Sequence, residues 1–158
     1  MAYPDGFTYI SGPYEIRRAN ILSTATFVGR NPVSLDGSRR VIEATAINNT
    51  IFGVALNDAA SSIYGGEILV LVPNEQTVFA TKVQTGVAAS ALSAGFAYAL
   101  EKAGNYLRVD IDSQATAKVQ IVPRGDGTTV NSADSSVFVQ FLQASLLPFG
   151  STTSVTVL

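Results

Sequence analysis

The chain has 158 residues, 47% of them hydrophobic and only 14% charged, with a net charge of −2. The charged fraction lies well below the ~25% of ordinary soluble domains, and the normal apolar content argues against disorder. Cysteine and histidine are both absent, which removes disulfides, thiolate chemistry, Cys- or His-ligated metal and the Ser–His nucleophile pair.

A chain of this length is expected to fold as one compact domain with or without an arm. Charge is unevenly placed. Residues 1–40 hold five arginines against three carboxylates, a net +2, and the remainder holds five basic against nine acidic residues, a net −4. A mildly basic front end hints at an acidic partner, while the acidic whole gives no attraction to nucleic acid. The first residues lack a basic segment followed by an apolar one, so no secretory leader is expected. No apolar run approaches the ~20 residues of a membrane span.

Residues 1–18 set Pro4, Gly6, Gly12 and Pro13 among Tyr3, Phe7, Tyr9, Ile10, Tyr14 and Ile16. Breakers at that density predict an irregular, extended arm over residues 1–20. Its aromatics require burial, either on another surface or on the chain's own domain. Residues 21–158 read as a single β-rich domain. Ile21–Val28 is rich in β-branched and aromatic residues and predicts a strand, and Leu35-Asp36-Gly37-Ser38 predicts a turn. Val41–Ile47 and Ile51–Leu56 predict two further strands. The stretch GVALNDAASS from Gly53 to Ser62 pairs Asn57 and Asp58 at a strand end, which raises the question of an active site. Without histidine its serines lack a base, and it reads instead as a strand-exit turn in which Asp58 caps the following A-A-S-S segment.

Ile68–Val72 is an uninterrupted apolar run, expected for a strand buried on both faces. Thr77–Gln84 predicts another strand, and Val87–Ala94 is the only plausible short helix. Phe96, Tyr98 and Leu100 alternate with alanines. Ala103-Gly104-Asn105 predicts a hairpin into Tyr106–Ile111, where Leu107, Val109 and Ile111 face one way and Tyr106, Arg108 and Asp110 the other. Lys118–Val122 and Val137–Leu142 complete the series around the polar loop PRGDGTTVNSADSS. Strands recurring every 8–12 residues predict an all-β fold, a small barrel or a sandwich, with at most one or two short helices.

Chemistry is sparse. Asp110 and Asp112 lie two apart and share a strand face, enough for a carboxylate-only hydrolase to be considered, but outward alternation and a turn explain them better. Gly125-Asp126-Gly127 lacks the further ligands of a cation loop, and the Arg124-Gly125-Asp126 tripeptide is too short to signify adhesion. No catalytic, cofactor or metal residues are expected. Arg17-Arg18 and Arg39-Arg40 are too few for a nucleic-acid groove and suit either solvated pairs or contact with a negative protein surface.

The order GVALNDAA, glycine, ILVLVP, polar turn, TVFATKV, then GFAYAL…NYLRV and KVQIVPR…VFVQFL resembles the head-decoration, or cement, proteins of tailed bacteriophages. The resemblance covers about residues 45–145. It implies a small β-barrel or β-tulip that sits, often as a trimer, on the outer surface of a mature capsid and clamps neighbouring major capsid subunits. The expected location is then the virion exterior, after synthesis in a host cytoplasm, with no nucleic-acid or membrane partner and no enzymatic activity. Tyr9, Ile10, Tyr14, Ile16, Arg17 and Arg18 are the candidate contacts to capsid or neighbouring protomer. A carbohydrate-binding module of a fibre or baseplate is the alternative, with Tyr64, Tyr98 and Tyr106 as its platform.

Overall fold

The structure, a computed structural model, describes residues 3–44, 50–59, 66–83, 95–110, 116–123 and 136–147, and the backbone of 156–157. Its strands are β1 Thr8–Ser11, β2 Tyr14–Asn20, β3 Pro32–Leu35, β4 Val41–Glu43, β5 Gly53–Ala55, β6 Glu67–Pro73, β7 Val78–Lys82, β8 Ala97–Ala103, β9 Tyr106–Asp110, β10 Val119–Val122, β11 Ser136–Phe141 and β12 Thr156–Val157. They form two six-stranded antiparallel sheets: a front sheet in the order β1-β7-β11-β10-β8-β9 and a back sheet in the order β12-β2-β6-β5-β3-β4. The fold is all-β and sandwich-like, with a 3-10 turn at Gln143–Ser145. Neither sheet closes. The front sheet curls until Val109 of β9 bridges Val83, the residue that follows β7.

The main core fills the space between the sheets. Val54 and Leu71 of the back sheet meet Phe79, Leu100, Val109, Ile121, Val139 and Phe141 of the front sheet. Alternation places them there: in β9, Leu107 and Val109 are buried while Tyr106, Arg108 and Asp110 stay half-buried. A second cluster lies on the other face of the back sheet, where Ile68, Val70 and Val72 of β6 pack with Phe27, Val33, Val41 and Ala55. β6 is therefore covered on both faces, which is why its sequence runs apolar without alternating.

Two expectations are corrected. The first twenty residues are not an irregular arm, because Thr8–Ser11 pairs with β7 and Tyr14–Asn20 with β6 over its whole length. Gly12 and Pro13 mark the bend between two strands, and Phe7 is buried on the chain's own sheets while Tyr9 and Tyr14 stay exposed. Phe7 stacks on Phe141 at 5.4 Å and meets Phe79 edge-on at 6.0 Å. Tyr3 stands edge-on to Phe138, and Asp5 lies between Lys82 and Arg108, at 3.4 and 3.2 Å, beside the β7–β9 seam. Nor do residues 21–28 form a strand. Ile21 makes one bridge to Val41, Ala25 N–H closes a turn on Leu22, and Phe27 folds over the outer face of the back sheet. The helix expected at Val87–Ala94, the loop at 123–136 beyond its ends, and Asp112 lie outside the described residues.

Two local features tie the layers. Asn31, fully buried just before β3, donates to Asn105 O at 2.6 Å and accepts from Leu107 N–H at 2.9 Å, joining the back sheet to the β8–β9 hairpin. In the β3–β4 hairpin, Asp36 Oδ1 accepts the N–H groups of Ser38 and Arg40, both at 2.9 Å, and Oδ2 pairs with the Arg40 guanidinium. These bonds, that of the Arg40 N–H foremost, hold the Asp36 carboxyl below its usual value of 3.8 against a smaller opposing effect of desolvation.

Phe7→Ala is expected to cost about 3–5 kcal/mol, read as a shift in urea midpoint, since two ring contacts and a core volume are lost together. Asp36 has a lowered folded-state pKa, so its contribution is present above 3.8 and fades as pH falls through the folded value. The gap in urea midpoint between wild type and Asp36→Asn should be open at neutral pH and close on acidification below that point.

Candidate interaction surface

Two of the chain's passages between the sheets run side by side. β1 leads to β2 from front to back, and β6 leads to β7 from back to front, with β1 paired to β7 and β2 to β6. The two bends pack on each other. Gly12 has φ +97°, and a Cβ there would lie 2.5 Å from Gln76 O and 2.8 Å from Thr77 Cα. Only glycine fits both the backbone conformation and the space. Thr77 is fully buried beneath it; its hydroxyl donates to Pro13 O and accepts from Asn74 N–H at 3.0 Å. Asn74 in turn accepts from Gln76 N–H at 2.8 Å.

This bend presents two aromatic rings. Tyr9 and Tyr14, 38% and 46% exposed, meet edge-to-face with centroids 4.9 Å apart. Tyr9 hydroxyl donates to Gly12 O at 2.7 Å, fixing its ring against the turn. The pair stands at the outer edge of the front sheet, where β1 has a neighbour on one side only among the described residues. Edge strands offer backbone donors and acceptors to any extended partner. On the outer face of the same sheet, Ile10 and Ser11 of β1 border a hollow of about 520 Å³ with Tyr3, Val78, Val122, Pro123 and Phe138. No charged side chain lines it, so it suits an apolar group.

Of the six candidate contacts, the structure brings together Tyr9 and Tyr14, with Ile10 on the other face of the same edge. Ile16 packs against the main core. Arg17 is buried and pairs with Glu15 at 2.7 Å, and Arg18 is half-buried beside Glu67 at 3.6 Å. These three hold the back sheet. Tyr3, Val78, Val122 and Phe138 were missed, because the pairings β1–β7, β7–β11 and β10–β11 bring together residues distant in sequence and no local signal marks them.

The remaining candidates resolve in the same manner. Asn57 accepts from Leu69 N–H at 3.0 Å, extending the β5–β6 ladder by a side chain, and Asp58 accepts from Gly29 N–H at 2.6 Å. Asp58 thus anchors the 22–31 segment; residues 60–62 of the A-A-S-S stretch that it was expected to cap lie outside the described residues. Tyr98 is buried in the main core and supplies no sugar platform with the half-buried Tyr106; Tyr64 lies outside the described residues. Among the described residues, no cluster of three or more acidic side chains could hold a metal ion. Comparison with protein-family models, curated proteins and solved structures found no match.

Gly12→Ala is expected to cost at least about 2 kcal/mol, from a left-handed Cβ and overlap with Gln76 O. It should also change the near-ultraviolet circular dichroism of the coupled tyrosines, whereas a merely exposed turn would leave both unaltered.

Proposed function

We propose that this chain is a structural virion protein that binds the outer surface of a phage capsid and cements neighbouring major capsid subunits. The observation that carries the reading is the exposed Tyr9–Tyr14 pair at the β1–β2 bend, with Tyr9 on the edge strand β1 and Tyr14 at the start of β2. Tyrosine brings a large amphipathic contact area with few side-chain torsions to freeze, which is why it concentrates at binding surfaces. The neighbouring apolar hollow and the free β1 edge add shape and hydrogen-bonding capacity to the same side. The resemblance over residues 45–145 supplies the class of partner.

On this reading the protein binds the assembled shell and not its dissociated subunits, so mass action stabilises the shell. Many modest contacts repeated over a lattice act together, and assembly into a homo-oligomer, a trimer by the resemblance, multiplies them. The test uses point substitutions, because deleting residues 1–18 would remove Phe7 and β1 from the core. Tyr9→Ser with Tyr14→Ser should leave the melting temperature within a few degrees of wild type and abolish protection of mature capsids against heat. Protection equal to wild type would remove the tyrosine pair from the contact. Failure of the wild-type protein to bind capsids would sink the cement function itself.

A further inference from the structure

The six described arginines divide into two groups. Arg17, Arg18, Arg40 and Arg108 each pair with a carboxylate, of Glu15, Glu67, Asp36 and Asp5 respectively. Arg30 and Arg39 are exposed, and neither has an ion pair or a side-chain hydrogen bond among the described residues. Among the described residues, the same two are the non-glycine residues with positive φ, at 65° and 62°. Left-handed backbone is where glycine or asparagine would be favoured, so each arginine sits where its own backbone is disfavoured.

The surroundings fix that conformation. Arg30 N–H donates to Ala55 O at 2.6 Å and Arg30 O accepts from Phe7 N–H at 2.7 Å, while Arg39 N–H donates to Asp36 O at 2.9 Å to close the β3–β4 hairpin. None of these bonds uses the side chain. We propose that Arg30 and Arg39 form a two-point docking surface for an acidic protein partner, retained at the expense of local backbone strain. The positions lie at opposite ends of β3, separated by at least the strand's length, roughly 13 Å. Two cations so spaced on a chain of net charge −2 match discrete carboxylates on a folded surface. A phosphate backbone would call for a longer, continuous basic track. This surface stands independently of the capsid contact and of the tyrosine pair.

The test is to replace each arginine with glycine and to measure stability and binding together, with poly-L-glutamate on a sensor surface at low ionic strength as the probe. Wild type should bind and be released by salt. Each single variant should bind more weakly, the Arg30→Gly/Arg39→Gly double variant about tenfold more weakly, and none should melt lower than wild type. Lys118→Gln, which changes net charge by the same amount, should bind as wild type does. The proposal is overturned by any of four results: no binding of wild type, equal binding of the double variant, an equal loss in Lys118→Gln, or a lowered melting temperature in both glycine variants. Tighter binding of wild type to a single-stranded DNA oligonucleotide than to poly-L-glutamate would overturn it in favour of nucleic acid.

Discussion

The fold depends on two chain crossings being able to touch. β1–β2 and β6–β7 each carry the chain from one sheet to the other, and they do so in contact, with Gly12 lying on the Gln76–Thr77 backbone. If the crossings stood apart, β1 could not pair with β7 while β2 pairs with β6, and the core residues Phe79 and Leu71 would not face each other. A missing side chain at position 12 and one buried hydroxyl at Thr77 therefore set the spacing between the layers. The tyrosine pair is presented by the same bend, so the candidate contact sits on one of the most constrained parts of the molecule. Rigidity there limits the ordering entropy that a partner must overcome.

The low charge content takes on structural meaning from where the charges lie. Asp36–Arg40 closes a hairpin, Glu43–Lys102 links β4 to β8, and Asp5 draws Lys82 and Arg108 together at the seam of the front sheet. Glu15–Arg17 and Glu67–Arg18 lie along β2 and β6. Each exposed pair alone is worth little. Together they show that most described arginines are committed to the fold, which gives weight to the two that are not.

Strand periodicity was legible in the sequence wherever one face is buried and the other is not, as in Tyr106–Asp110, and wherever both are buried, as in Ile68–Val72. Turn chemistry was legible at Asp36-Gly37. Residues 1–20 misled because Gly12 and Pro13 look like part of an irregular arm when they are a bend, and a bend is recognised only by what packs on it. Ile21–Val28 misled because residues that favour strands also favour burial, and here burial came from covering a sheet face. Within the candidate surface, Tyr9 and Tyr14 could be found as aromatics near breakers. The sequence could not separate them from Ile16 and Arg17, whose burial follows from pairing with β6. The apolar hollow is assembled from four strands and a preceding segment, and local pattern does not encode it.

A strand apolar on both faces carries no phase. Sliding β6 by one residue would exchange one apolar face for another, so hydrophobic patterning alone leaves its alignment undetermined. The adjoining strand supplies the missing phase through two teeth of unlike kind. Gly53 leaves a notch in which a methyl would overlap Leu71 O, and Asn57 reaches across to take the Leu69 N–H. Four residues apart on one strand and two apart on the other, they act as a key and its lock. The polar stretch that first suggested a reaction centre thus gives the central strand of the back sheet its address.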